Sequence, residues 1–166
     1  DVIDTAAICP FMKTNERVLD VGTGGGVPGV VLAILRRDLT VELSDTSSKR
    51  IAALRSILDE IKLSLTIHHQ PAQQIAHDMN SQGHPFDTLI IRAVAPLPKL
   101  LAWFEPISSV YGRLLLIKGP RWEAEKRDSR HRGFLKKVTA RRIADWPIPG
   151  KDTQSVLLEI KKRHNA

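Results

Sequence analysis

The stretch Leu19–Gly29, LDVGTGGGVPG, follows the compact apolar run RVLDV at 17–21 and leads into GVVLAILRR. Strand, glycine-dense turn and helix in that order bring bare backbone to the carboxyl end of the strand, where a ligand can lie close against it. Pro28 suits the opening of the helix, because its missing N–H is one of the unpaired first-turn donors. A strand of this kind is stable only inside a larger sheet, so further strands and helices must follow.

They do. LTVELSD at 39–45 alternates as a second strand. Asp45, Thr46 and Ser47 offer caps for a helix over 47–62, whose core face is Ile51, Leu54, Leu58 and Ile61. SLTIHH at 64–69 predicts a third strand, and a weaker helix follows over 72–81. FDTLIIR at 86–92 is nearly apolar throughout, as expected of a fourth strand covered on both faces. KLLAWFEPISSV predicts a helix kinked at Pro106, and GRLLLIKG at 112–119 a fifth strand. TARRIADWPI and SVLLEIKK predict a closing antiparallel hairpin, and residues 2–12 a short helix running into a turn at Pro10. Alternation of this kind predicts an α/β fold, a parallel sheet with helices on both faces, as one domain over residues 1–166. Hydrophobic residues make up 42% of the chain and aromatics 5%, so the core is predicted to be aliphatic.

The apolar runs fall far short of a membrane span, which needs about 18 residues or more, and no basic leader precedes them. The chain is expected to act in the cytoplasm. Cys9 is the single cysteine, so no internal disulfide and no thiolate metal cluster can form. It is expected to pack as a small buried hydrophobe. His68 and His69 are adjacent on a strand and point to opposite faces. No metal is expected.

Three ligands compete for the glycine turn. A triphosphate loop needs a lysine and a hydroxyl residue at its close, and Val27, Pro28 and Gly29 stand there instead. Gly24-x-Gly26-x-x-Gly29 matches the dinucleotide spacing, but Pro28 removes one of the N–H groups that would cradle a pyrophosphate. S-adenosylmethionine carries no phosphate. Glycines at 22, 24 and 26 let the backbone pass close to it, and Asp45, 19 residues after Gly26, can accept both ribose hydroxyls. Asp20 either caps and orients the loop or meets the ligand's ammonium.

Charge adds a second pointer. The net charge is +7, and the stretch from Lys118 to Arg142 holds ten Lys or Arg against three Asp or Glu. The remainder has fifteen of each sign. A balanced body with one basic stretch is the footprint of a polyanion partner, the alternative being a solvated helix and loop.

RVLDVGTGGGVPGVVLAI, SDTSSKRIAAL, FDTLIIRAVAPLPKLLAW and LLLIKG, in that order and spacing, resemble the RsmG (GidB) family of bacterial 16S ribosomal RNA methyltransferases. The resemblance spans roughly residues 1 to 162. It implies a Rossmann-like class I S-adenosylmethionine-dependent methyltransferase: a mostly parallel seven-stranded sheet with a C-terminal antiparallel hairpin and helices on both faces. It implies methyl transfer to N7 of a guanine, with 16S RNA or the small ribosomal subunit as partner and a monomer as the working state. Residues 1–16 then stand as the remnant of the family's N-terminal helical segment. Asp20, Gly22, Thr23, Gly24 and Gly26 fall on the cofactor loop, Asp45 on the ribose acid, and Ala72 and Gln73 beside the adenine. Arg92 and Lys118 follow the fourth and fifth strands as the catalytic pair, Arg92 also bordering the cofactor. Lys49, Arg50, Lys118, Arg121, Arg130, Arg132, Lys136 and Lys137 form the RNA-binding set. The chain departs from the family pattern at Gly25 (proline), at Ile91 (serine), and at Pro71 and Gln73, where an Arg-x-Glu phrase is common. Gln73 can hydrogen-bond but carries no charge.

The chemistry fits this residue set. Guanine N7 presents a lone pair on a neutral ring and needs no general base, so alignment can supply much of the rate, of order 7–11 kcal/mol in favourable cases. Arg92 could fork onto guanine O6 or a phosphate, or serve as an ion pair holding its loop. The alternatives are a cofactor-binding or catalytically impaired RNA-binding homologue, and a methyltransferase of another substrate class.

Overall fold

The structure is a computed structural model and describes residues 2–163. Residue 1 and residues 164–166, the ends of the expected domain, lie outside the described residues. Seven strands are present among these residues: β1 Arg17–Val21, β2 Thr40–Ser44, β3 Thr66–His68, β4 Phe86–Arg92, β5 Tyr111–Lys118, β6 Val138–Pro147 and β7 Gln154–Lys162. The α-helices are α1 Val2–Ile8, α2 Gly29–Leu35, α3 Ser48–Glu60, α4 Ala72–Ser81, α5 Leu97–Phe104 and α6 Trp122–His131. The strands form one sheet in the order β3-β2-β1-β4-β5-β7-β6. β1 to β5 are parallel. β7 is antiparallel to β5, and β6 is antiparallel to β7.

This order places a topological switch between β1 and β4. The chain steps outward from β1 to β2 and β3, then returns to β4 on the other side of β1. Helices diverge from that point to opposite faces, which leaves a crevice beyond the carboxyl ends of β1 and β4.

The two faces read directly from the alternation of the strands. Leu89 and Ile91 of β4 pack with Ile75 of α4, Leu100 and Phe104 of α5, and Trp122 of α6. Ile90, between them, packs on the other side with Ile8 of α1, Val30 and Leu32 of α2, and Leu54 and Leu58 of α3. A continuous apolar strand is thus the consequence of cover on both faces.

Some predicted elements change. α3 ends at Glu60, and Ile61 is 46% exposed instead of completing the core face. α5 stops at Phe104 and does not run on through a kink, because Pro106 has no N–H to give the Ala102 carbonyl. The chain continues there as turns, with Ser108 N–H donating to Glu105 and Val110 N–H to Ile107. β3 is confined to three residues. Cys9 is partly exposed, packed against the α1–α3 side of the core. The basic stretch contains α6, with Glu123 and Glu125 in its first turn and Arg130 and His131 in its last, the arrangement the helix dipole favours.

A buried charge network fastens the N-terminal residues to the sheet. Arg113 of β5, 6% exposed, donates to both Glu16 oxygens at 3.1 Å, to the Phe11 carbonyl at 2.7 Å and to Thr88 Oγ1 at 2.9 Å. Glu159 of β7 completes it at 3.2 Å.

Candidate active site

A cleft of about 380 Å3 opens at the switch. Val21 and Gly22 line it from the end of β1, Ser44, Asp45 and Thr46 from β2, and Gln70 to Gln73 from the turn into α4. Ala93 and Val94 close it from β4, and Trp103 and Phe104 from α5. Gly22 has φ +67°, and a Cβ there would lie 2.7 Å from Val94 Cγ2. Glycine is what lets the segment after β4 close onto the loop.

The loop is fixed from beneath by Asp20, which is 1% exposed. Its Oδ2 accepts the Thr23 hydroxyl at 2.6 Å and the Gly29 N–H at 2.8 Å. A Cβ on Gly29 would lie 2.6 Å from that same oxygen and against Leu43, so α2 starts where only glycine fits. Burial pushes the Asp20 pKa up to about 6, against the opposing pull of the Thr23 and Gly29 hydrogen bonds. Asp20 therefore sits under the loop as its organiser and not on the cleft wall. Thr23 is also buried, and its N–H donates to the Ser44 carbonyl at 2.9 Å. Gly26 packs against Val30 and Leu54.

Asp45 closes β2 on the cleft wall, 3% exposed. Oδ2 accepts the Gly24 N–H at 3.1 Å. Oδ1 accepts the Ser47 N–H at 2.8 Å and lies 3.3 Å from Arg50 Nε. A carboxylate offers about four acceptor sites, so these contacts leave room for one more. The Arg50 side chain is 60% exposed and can swing aside to free another. Across the cleft, Pro71 opens α4, and no acceptor among the described residues takes the N–H of Ala72 or Gln73.

Arg92 and Lys118 border the cleft without lining it. Arg92 Nη1 donates to Asp4 Oδ2 at 3.2 Å, and Asp4 Oδ1 accepts the Trp146 indole N–H at 2.8 Å. Burial of Asp4 works against its ionisation, but the Trp146 hydrogen bond, the positive charge of the amino terminus and Arg92 together hold its pKa below the ordinary carboxylate value. The guanidinium expected to face the cleft thus turns toward α1. Lys118 Nζ donates to the Ala95 carbonyl at 3.1 Å and pairs with Glu125 at 2.7 Å. Glu125 also accepts the Leu97 N–H at 2.7 Å, so Lys118 holds the loop after β4 to α6.

The sequence-predicted RNA set divides. Lys49 is exposed on the first turn of α3, while Arg50 belongs to the cleft. Arg121 is exposed before α6. Arg132 is paired with Asp128 at 2.9 Å and Lys137 with Glu105 at 3.7 Å. Arg130 and Lys136 meet in a second concavity away from the cleft. Among the lining residues that sequence reasoning missed are Val94 and Trp103. Trp103 is 36% exposed and its ring carries Lys99 Nζ 5.1 Å from the centroid. Its signal was its phase on α5, off the face formed by Leu97, Leu100, Leu101 and Phe104. Among the described residues, no group of three His, Cys, Asp or Glu is placed to hold a metal ion, and no helix is long and apolar enough to cross a membrane.

The fold is shared with solved structures at low sequence identity. TrmN from Thermus thermophilus superposes with a TM-score of 0.70 at 16% identity, over 98% of this chain and 49% of that one. Magnesium protoporphyrin IX methyltransferase (ChlM) from Synechocystis PCC 6803 with bound SAM gives 0.68 at 19%, over 97% and 79%. Sequence relatives are nearer. The ribosomal RNA small subunit methyltransferase G of Rhodopirellula baltica is 36% identical over 148 residues, 89% of this chain and 62% of that protein. The one of Beutenbergia cavernae is 40% identical over 125 residues, 75% and 57% respectively. The chain spans little more than half the length of these relatives. The family model GidB, rRNA small subunit methyltransferase G, matches residues 1–148. With the switch-point cleft, the glycine loop and Asp45 in place, that match settles the lineage: this chain belongs to the GidB family.

Proposed function

We propose that the chain binds S-adenosylmethionine in the cleft and transfers its methyl group to N7 of a guanine in 16S ribosomal RNA, as naked RNA or within the small subunit. The observation that carries this reading is Asp45, buried at the end of β2 with one oxygen on the Gly24 N–H and spare acceptor capacity toward the cleft. A vicinal diol matches that carboxylate. The rest of the lining suits a ligand without phosphate: Val21, Val94, Trp103 and Phe104 are apolar, lysine is absent from it, and its one arginine, Arg50, is paired with Asp45. Gln73 and the free N–H groups that open α4 suit the edge of an adenine. When bound, S-adenosylmethionine supplies an electrophilic methyl on sulfur. The chain's own residues bind and orient: Gly22 lets the backbone approach, Asp45 fixes the ribose, and Trp103 at the rim offers an aromatic face to a base. Arg92 and Lys118 stand at the border where an incoming nucleotide must pass. Lys49, Arg121, Arg130, Arg132, Lys136 and Lys137 supply the positive field for RNA. A cytoplasmic monomer accords with a ribosomal substrate.

The test is transfer of labelled methyl from S-adenosylmethionine to 16S RNA or to small subunits, followed by digestion and identification of 7-methylguanosine. Calorimetry on the same preparation should show binding of S-adenosylhomocysteine and none of NAD. Binding without transfer to either substrate would reduce the chain to a cofactor-binding homologue.

A further inference from the structure

At the far end of α6 lies a concavity of about 460 Å3 that the cleft does not account for. Lys126 and Arg130 of α6, Lys136 of the following turn and Arg163 after β7 converge on it. Three of these side chains are held in place. Arg163 lines the concavity and donates through its backbone N–H to the Lys137 carbonyl at 2.7 Å and through Nε to the Val138 carbonyl at 3.2 Å, while its terminal nitrogens have no acceptor among the described residues. Lys126 Nζ lies 5.7 Å from the centroid of the Trp122 ring. The Lys136 stem passes over Gly133, whose φ of +78° ends α6, with Cε 3.2 Å from the place a Cβ would take. None of the four has a carboxylate ion-pair partner among the described residues. Three nearby acids are engaged elsewhere, Asp128 with Arg132, Glu105 with Lys137, and Glu159 with Arg113 and Lys161, while Glu123 lines the adjoining surface with Lys126 and Arg130 and forms no ion pair with them.

The sheet register puts this cluster at the opposite end from the cleft. Val138 pairs with Lys162, and Ile160 with Leu114, so the start of β6 lies by the amino ends of the parallel strands. At about 3.3 Å per residue, the length of β5 separates the cluster from the cleft by roughly 20 Å. The nucleotide being methylated cannot occupy both.

Four cations around one concavity, three of them held in place and none with a carboxylate partner among the described residues, form a site for anionic oxygens, and the guanidinium fork of Arg163 matches a phosphate. We infer that Lys126, Arg130, Lys136 and Arg163 anchor the phosphodiester backbone of the RNA substrate at a point remote from the target guanine. This rests on the reading of the chain as a ribosomal RNA methyltransferase. Such an anchor sets how tightly the RNA is held and carries no base specificity.

The experiment combines Lys126→Gln, Arg130→Gln, Lys136→Gln and Arg163→Gln in one variant and measures methylation of a 16S RNA transcript at several salt concentrations. The KM for RNA should rise about 10-fold or more, and the slope of log affinity against log salt should flatten by about 3 if each cation meets one phosphate. S-adenosylhomocysteine affinity should match the wild type, which reports that the fold is retained. A second measurement uses the wild type alone. Acetylation of Lys126 and Lys136 should be suppressed by the 16S transcript, while that of Lys62, at the β3 edge of the sheet, should not. A wild type that methylates the transcript, with an unaltered KM and salt slope in the variant or with no protection of Lys126 and Lys136, overturns the anchor alone. A wild type that acts only on small subunits moves the same comparison of KM, salt slope and protection onto them, and one that binds neither the transcript nor small subunits overturns the anchor and the reading beneath it.

Discussion

Arg92 Nη1 donates to Asp4 Oδ2 across 3.2 Å while Trp146 holds the other oxygen of the same carboxylate, so one acid ties the end of β4 to α1 and β6. Two substitutions break this pair from opposite sides. Asp4→Asn keeps an oxygen for Trp146 and removes the charge facing Arg92, and Arg92→Ala removes the guanidinium. Each should destabilise the fold by about 1 kcal/mol, the range of a partly exposed ion pair. If Arg92 also positions the guanine, only Arg92→Ala should slow single-turnover methylation, by about 10-fold or more, equivalent to ~1.4 kcal/mol. Equal rates in the two variants would confine Arg92 to the structural pair.

Asp45 joins loop and ligand in one residue, since it holds the Gly24 and Ser47 N–H groups from the cleft wall. Asp45→Asn keeps one acceptor oxygen and loses the charge. It should weaken S-adenosylhomocysteine by about 1.5–3 kcal/mol, the worth of hydrogen bonds to a charged acceptor. Calorimetry reads this directly, and wild-type affinity in the variant would remove Asp45 from the site.

The strands and the glycine loop were legible because their signals are local. RVLDV and FDTLIIR announce buried strands by apolar continuity, and Asp45 follows the loop at the distance one helix and one strand require. The cleft wall was less legible. Val94 and Trp103 reach it through the closure of the segment after β4 over Gly22, a contact between residues far apart in sequence that no periodicity encodes. Arg92 illustrates the same limit. Its place at the strand end was readable, but its direction depends on Asp4, 88 residues earlier. The surplus of positive charge was evident from composition, yet which cations are neutralised depends on how α6 sets Asp128 beside Arg132 and how Glu105 meets Lys137.

The Arg113–Glu16 pair predicts a large stability effect. Both side chains are buried, 8% and 6% exposed, and Arg113 reaches both Glu16 oxygens from β5, with the Lys13 N–H as the further donor to Oε2 at 3.1 Å. Arg113→Met strands a carboxylate in the interior and should cost about 3–5 kcal/mol in urea unfolding. Adding Glu16→Gln should recover part of that loss, because the buried charge is gone. A single-variant loss below about 1 kcal/mol, the worth of a surface pair, would show the network to be solvated.

Asp20 predicts a pH dependence with a definite sign. Burial raises its pKa from 3.8 to about 6 in the folded chain. Between those values the folded state holds a proton that the unfolded state releases. Its contribution to stability is therefore full below pH 3.8 and is lost as the pH rises through about 6. At pH 7 the ionised carboxylate is a net burden of about 3 kcal/mol relative to acid conditions. Asp20→Asn cannot titrate, and its single oxygen can accept both the Thr23 hydroxyl and the Gly29 N–H, which already share one atom. The difference in unfolding free energy between variant and wild type should thus move in favour of the variant from pH 4 to pH 7 and level off above that. Urea titrations of both proteins across this interval give the curve. A difference that stays flat with pH would mean that Asp20 is ionised throughout, and that the loop rests on a carboxylate and not on a neutral acid.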